Sequence, residues 1–134
     1  MENKSNILVI DDDQDIGRML KMLLEFKGFN VSIAENKTKA DDILKNTRTN
    51  IMIMDMLLSG ENGINVCSDF KSNDEIKHIP ILMMSAHPDA KKICLDAGAN
   101  DFISKPFEMQ DMLLKIEVLL NERVKNEGMK ESRS

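Results

Sequence analysis

Asp11, Asp12 and Asp55 each stand where a short apolar run stops, and Ser85 and Lys105 stand at the ends of two more. The runs are residues 7–10 before Asp11-Asp12-Asp13, residues 51–54 before Asp55, residues 81–84 before Ser85, and Phe102-Ile103-Ser104 before Lys105-Pro106. A fifth run, residues 31–34, ends in nothing comparable. In an open α/β sheet, ligands bind beyond the carboxyl ends of the strands. If these runs are parallel strands of one sheet, carboxylates, a hydroxyl and an ammonium share one crevice. Two carboxylates about 4 Å apart repel by roughly 4 kcal/mol at an effective dielectric near 20. Such a cluster either holds a proton or binds a cation, and with oxygen donors alone the fitting cation is Mg²⁺ or Mn²⁺. That ion would also neutralise an incoming phosphoryl group, whose transfer depends on positioning and charge. Lys105 adds a positive point charge, and Ser85 offers a hydroxyl to a phosphoryl oxygen. The chemistry indicated is acceptance of a phosphoryl group on an aspartate.

The elements that must position these groups are legible in the apolar spacing. Runs of four apolar residues alternate with longer segments of helical period, as in β-α units around a parallel sheet. Ile16, Met19, Leu20, Leu23 and Leu24 make a helical stripe closed by Gly28. Val31 and Ile33 alternate with polar neighbours and place the second strand near an edge. Asn36 caps a helix carrying Ala40, Ile43 and Leu44. The run 51–54 is apolar throughout, as expected of a strand covered on both faces. Ser59 to Gly63 forms a turn, followed by a third helix with Ile64, Val66, Cys67 and Phe70. Pro80 stands at the entry of the fourth strand. Pro88 fits the first turn of a short helix holding Ala90, Ile93, Cys94 and Ala97, and Ala97-Gly98-Ala99-Asn100 stops it. Met109, Met112, Leu113, Ile116, Leu119 and Leu120 lie on one stripe of a last helix. From Asn121 the chain is polar, and residues 125–134 read as frayed.

A chain of 134 residues is one domain's worth, with 42% hydrophobic and 31% charged residues. A net charge of −5 without a basic stripe argues against direct nucleic-acid binding. The amino terminus leads into only four consecutive apolar residues, too few for a signal-peptide core or a membrane span. Cys67 and Cys94 are isolated and read as reduced, buried small hydrophobes, which points to a cytoplasmic chain. The eleven methionines, at core spacing, read as gap-fillers.

The arrangement resembles the receiver domain of two-component response regulators. The matching pieces are Ile7-Leu8-Val9-Ile10-Asp11-Asp12, then Met54-Asp55-Met56-Leu57-Leu58-Ser59-Gly60-Glu61-Asn62-Gly63, then Met84-Ser85-Ala86, and Ala97-Gly98-Ala99-Asn100-Asp101-Phe102-Ile103-Ser104-Lys105-Pro106-Phe107. The resemblance implies a flavodoxin-like (βα)₅ doubly wound sandwich with a five-stranded parallel sheet in order 2-1-3-4-5. It implies a receiver domain over residues 5–122, with 123–134 as a polar tail. Asp55 becomes the phosphoacceptor, fed by a sensor histidine kinase or a histidine-phosphotransfer protein. Asp12 becomes a direct Mg²⁺ ligand, Asp11 a helper through water, and the Leu57 backbone carbonyl a further ligand. Ser85 takes the role of switch hydroxyl, Lys105 of phosphate-pairing cation and Phe102 of switch aromatic. Lys105–Pro106 corresponds to the family's cis peptide. A downstream target would dock on the face formed by the fourth helix, fifth strand and fifth helix, the chain being a monomer or weak dimer. Asp13 instead either faces solvent or begins the first helix, where negative charge suits the dipole, and Asp15 reads as a cap or first-turn residue on the same argument.

Several positions depart from the family pattern. Ser59 replaces the common proline, implying a looser loop with intact chemistry. The stretch from Ser85 to Lys105 is a little short, which alters the fourth helix or its entry. Phe102 lacks a tyrosine's hydroxyl, so it either reports phosphorylation by packing alone or is a permanently buried core residue. Leu57 and His87 sit two residues beyond the acceptor and the switch hydroxyl. Apolar Leu57 would slow loss of the phosphoryl group, and His87 reads as a surface or capping residue. His78 carries no argument for phosphotransfer.

The favoured reading is a stand-alone response regulator whose output is protein contact, not an enzyme beyond self-catalysed phosphorylation and dephosphorylation. Alternatives are a receiver piece of a longer regulator, or a relay intermediate passing phosphate to a second histidine. A haloacid-dehalogenase-type phosphatase fits poorly, because the best nucleophile is on the third strand and no cap domain is present. A scaffold receiver would lack part of the acidic pocket. A dinucleotide-binding unit would need G-x-G-x-x-G after the first strand.

Overall fold

The computed structural model describes residues 4–58 and 60–132, the last ten as backbone only. Five parallel strands form one sheet: β1 (Asn6–Ile10), β2 (Asn30–Ala34), β3 (Ile51–Asp55), β4 (Ile81–Ser85) and β5 (Asp101–Ser104). Their spatial order is β2-β1-β3-β4-β5, so both the flavodoxin-like class and the expected strand order hold. The helices are α1 (Gln14–Phe26), α2 (Lys37–Asn46), α3 (Gly63–Ser72), α4 (Ala90–Asp96) and α5 (Met109–Ser132).

Strand side chains alternate between two cores, as the pleat requires. Leu8, Ile10, Met52, Met54, Ile81 and Met83 pack with residues of α2, α3 and α4, among them Ala40, Phe70 and Cys94. Ile7, Val9, Ile51, Ile53, Leu82 and Met84 pack with Leu20 and Leu24 of α1 and with Met112, Ile116 and Leu119 of α5. Because both faces are covered, β3 and β4 are buried at every position. β2 lies at the edge and is only partly buried, as its alternation predicted.

Helix ends follow local chemistry. The Asp13 carboxylate caps α1 by accepting from the N–H groups of Asp15 and Ile16, and Asn36 caps α2 through the N–H of Lys39. Gly28, at φ 99°, closes α1: its N–H bonds the Glu25 carbonyl and the next N–H, of Phe29, bonds that of Leu24. Gly98, at φ 104°, closes α4 the same way on Leu95 and Cys94. The amino ends of the strands are joined by neutral asparagines: the Asn50 side chain accepts from the Asn6 N–H, and Asn30 donates to Asn6.

Four expectations need correction. Pro88 does not open α4, which begins at Ala90; the segment before it is a turn in which the Asp89 N–H donates to His87 Nδ1. The segment after Asp55 is not a plain turn but a miniature antiparallel hairpin, Leu57–Leu58 against Glu61–Asn62. α5 is not frayed from residue 125, because its backbone stays helical through Ser132. Glu, Lys, Arg and Met are good helix formers, so the helix outlasts its apolar stripe. Met19, placed on the buried stripe of α1, is 39% exposed, and Met22 and Phe26 nearby are more so. The looser loop expected at Ser59 lies outside the described residues, as do the last two residues of the polar tail.

Candidate functional site

Sheet pairing continues past the strand ends and sets the loops side by side. The Asp11 N–H bonds the Ala34 carbonyl, the Met56 N–H bonds Met84, and the Lys105 N–H bonds Ser85. The residues leaving β1, β3, β4 and β5 are thereby held in one row along the carboxyl edge. At the centre, Lys105 Nζ makes an ion pair with Asp55 Oδ2 and lies 3.8 Å from Asp11 Oδ2. Asp55 Oδ1 accepts from the Leu57 N–H at 2.9 Å, and Asp11 Oδ1 accepts from the Asp13 N–H at 2.9 Å.

Asp11 Oδ2 is different. It is buried and has no hydrogen-bond partner, an arrangement that disfavours its charge. Burial, the largest cause, pushes the Asp11 carboxyl up to about 6. The charges of Asp55 and Asp12 push the same way, while the Asp13 N–H and Lys105 oppose them. Asp11 Oδ2 therefore has only the Lys105 ammonium, at 3.8 Å, to offset its charge, and a further cation is a partner its chemistry accepts.

The structure thus brings together Asp11, Asp55 and Lys105, and places half-buried Asp12 near enough to act on Asp11. Ser85 is buried at the end of the adjacent strand, its hydroxyl accepting from the His87 N–H at 3.0 Å. Leu57 is 71% exposed at the mouth, with its backbone held in the hairpin. Phe102 is 7% exposed and packs in the core shared with α3 and α4. Its ring also borders a groove with Lys91, Pro106, Leu114 and Lys115. The Lys105–Pro106 peptide is cis. Among the described residues, no three His, Cys, Asp or Glu side chains gather round a point that could hold a metal. Mg²⁺ needs no such cage, because it keeps several waters and takes one or two carboxylates. The unpartnered Asp11 oxygen, with Asp12 or Asp55 beside it, fits that requirement.

Two residues gained significance that their sequence positions did not suggest. A Cβ on Gly63 would lie 2.4 Å from the Asp55 carbonyl oxygen and 2.6 Å from that of Met56. Only glycine allows α3 to start so close behind the acceptor, and the Asn62-Gly63 pair was the available signal. Glu61 accepts from the Lys37 N–H at 2.9 Å, across 24 positions. Nothing local to Glu61 marks that contact.

The response regulator receiver domain family matches residues 7–117. Among curated relatives, the response regulator MprA of Mycobacterium sp. (strain KMS) is 32% identical over 124 residues, 91% of this chain and 53% of the relative. The chain spans about half the length of the curated relatives it matches. Among solved structures, a putative response regulator from Chloroflexus aurantiacus superimposes with a TM-score of 0.84 at 31% identity, covering 89% of this chain and 99% of the other. A CheY-like receiver domain protein from Methanospirillum hungatei gives a TM-score of 0.84 at 27% identity, covering 92% and 99% respectively.

Proposed function

This chain belongs to the response regulator receiver domain family of two-component signalling, and from that premise we propose that Asp55 is its phosphoacceptor. The donor is a phosphohistidine on a sensor kinase or a histidine-phosphotransfer protein. The observation that carries this reading is the Asp55–Lys105 pair facing the orphaned oxygen of Asp11. A nucleophilic carboxylate at the rim of a buried acidic pocket, with a cation beside it, suits in-line attack on phosphorus.

Receiver domains generally use Mg²⁺. Here Asp11 and Asp12, with Asp55 and the Leu57 carbonyl, would hold it, and it would supply charge neutralisation as the phosphoryl group arrives. Lys105 binds and orients that group by its charge, and Ser85 would turn its hydroxyl to a phosphoryl oxygen. No turnover of generic phosphate esters follows from this arrangement.

Output passes to a partner protein through the face of α4, β5 and α5. Support comes from Ile93, Leu114 and Val118, which are 40%, 59% and 50% exposed on the two helices, and from the groove that Phe102 borders. No helix among the described residues is long and apolar enough to cross a membrane. The buried free thiols of Cys67 and Cys94 fit the reducing cytoplasm. We read this domain as acting by contact with protein rather than nucleic acid, whether as a stand-alone regulator or within a longer chain. The half-length match to its curated relatives favours one second reading, a receiver piece of a longer regulator. Size and sequencing of the native gene product separate the two.

The test of the phosphoacceptor is direct. Incubation with acetyl phosphate and Mg²⁺ should add about 80 Da to the intact chain, one phosphoryl unit. Asp55→Asn should add nothing, and an equal gain in that variant overturns the assignment. Transfer from the labelled chain to a histidine-phosphotransfer protein would show a relay role.

A further inference from the structure

We infer that Glu61 is a positioning residue for the metal side of the crevice. Its carboxylate ties the hairpin after Asp55 to the start of α2 and so holds the Leu57 carbonyl in place. This inference rests on the reading of that crevice as a divalent-cation site.

The hairpin has two residues on each side, Leu57 with Asn62 and Leu58 with Glu61. Ladders that short do not hold themselves in water, so anchors outside the ladder decide where the hairpin sits. Two anchors lie at its base: the Leu57 N–H on Asp55 Oδ1, and the Gly63 N–H on the Met56 carbonyl. The third is Glu61, whose Oε1 accepts from the Lys37 N–H at 2.9 Å.

Lys37 is the first residue of α2. Its N–H is one of the amides a helix leaves without an internal partner, and the local dipole favours a carboxylate there. Asn36 already supplies the ordinary cap, accepting from Lys39. The Lys37 amine is engaged elsewhere, 3.1 Å from Asp41 and over the Phe70 ring. Glu61 is thus a second, long-range partner of the same helix start, reached from the acceptor loop.

The far side of this tether leads back to the site. α2 begins just after β2, and the last residue of β2, Ala34, accepts the Asp11 N–H. Asp11, Ala34, Lys37, Glu61, Leu57 and Asp55 therefore lie on one circuit of covalent and hydrogen bonds, whose return link from Asp55 to Asp11 is the β1–β3 pairing. The circuit sets the distance between Asp11 and the Leu57 carbonyl, and the Glu61 contact closes it. Groups that orient metal ligands from behind typically change affinity by about 10- to 100-fold when removed.

The experiment measures Mn²⁺ binding to the full chain through the spin-resonance signal of the free ion, alongside thermal unfolding. Glu61→Ala should weaken Mn²⁺ binding by about tenfold and speed exchange of the Lys37 amide. Glu61→Gln keeps an acceptor oxygen at the same reach and should stay within about threefold of the parent. Asn36→Ala, which removes the ordinary α2 cap, should lower the melting temperature and leave Mn²⁺ affinity unchanged. The inference is overturned if Glu61→Ala binds as the parent does. It is overturned equally if Gln and Ala lose the same amount, which would make the effect one of net charge. An equal loss in Asn36→Ala would reassign it to α2 stability. A parent chain that binds no Mn²⁺ would refute the cation-site reading itself, so the two failures are distinguishable.

Discussion

Replacing Asp11 by asparagine should make the metal-free protein more stable at neutral pH, although Asp11 lies at the heart of the site. The Asp11 side chain is fully buried, and its Oδ2 has no hydrogen-bond partner. Its carboxyl is raised from 3.8 to about 6, chiefly by burial and then by its acidic neighbours. A carboxyl whose folded pKa exceeds its unfolded pKa binds protons better in the folded state. Its contribution is fully present below pH 3.8 and lost as pH rises through about 6. At about 1.4 kcal/mol per pH unit, the loss above that window is about 3 kcal/mol. An asparagine keeps the oxygen that accepts from the Asp13 N–H and never takes up the charge. Urea unfolding in chelator should show Asp11→Asn more stable than the parent by about 1–3 kcal/mol near pH 7.5, the gap closing toward pH 4. Added Mg²⁺ should narrow the gap, because the parent gains about 1.4 kcal/mol at ten times its dissociation constant and the variant, short of one ligand, gains less. A variant less stable than the parent near pH 7.5 in chelator would refute the account of Asp11 as a buried charge whose Oδ2 lacks a hydrogen bond.

Three further outcomes follow from the same geometry. Gly63→Ala pushes a methyl group into the backbone of Asp55 and Met56, so urea unfolding should show a loss of about 2 kcal/mol or more, with slower labelling of Asp55 by acetyl phosphate. Lys105→Met removes the ammonium from both carboxylates; a loss of about 3 kcal/mol near pH 7.5 should recover only in part on titration toward pH 5, where Asp11 holds its proton but the contact with Asp55 is still missing. Leu57→Asn puts an amide in place of an exposed apolar side chain two residues past the acceptor, and it should shorten the phosphoaspartate lifetime in a timed chase; an unchanged decay rate rules out a gating role for Leu57.

The strands and the acidic residues at their ends were legible because each signal was local. Four apolar residues followed by Asp, Ser or Lys can be read without knowing what lies across the sheet. The same is true of Asn36, whose capping bond reaches only three residues. What escaped was set by distance or by surroundings. Glu61 looks like any turn glutamate until the start of α2 is placed beside it. The hairpin at Leu57 depends on Gly60, at φ 75°, and on Gly63 fitting behind Asp55. Met19 shares the spacing of Leu20 and Leu24, but periodicity marks a stripe without giving its width, and Met19 falls on the solvent margin. The opposite error arose in α5, where the end of an apolar stripe was taken for the end of a helix.

How the site could reach the proposed output face follows from a short path. Lys105 pairs with Asp55, its N–H bonds the carbonyl of Ser85, and the next residue, Pro106, borders the groove with Phe102 and Leu114. A phosphoryl group on Asp55 would convert the oxygen that Lys105 now holds and draw the ammonium outward to the new charge. Ser85 would be drawn toward the same group from the neighbouring strand. Both pulls act on the last residues of β4 and β5, which are joined to each other and carry the segments leading into α4 and α5. Moving a two-state face from 1% to 99% occupancy takes about 5.5 kcal/mol of differential binding. Charge-assisted hydrogen bonds contribute roughly 1.5–3 kcal/mol each, so Lys105 and Ser85 together would supply at most about 3–6 kcal/mol. Neither would suffice alone. On the proposed reading the two contacts would act as one switch, coupled by the β4–β5 pairing.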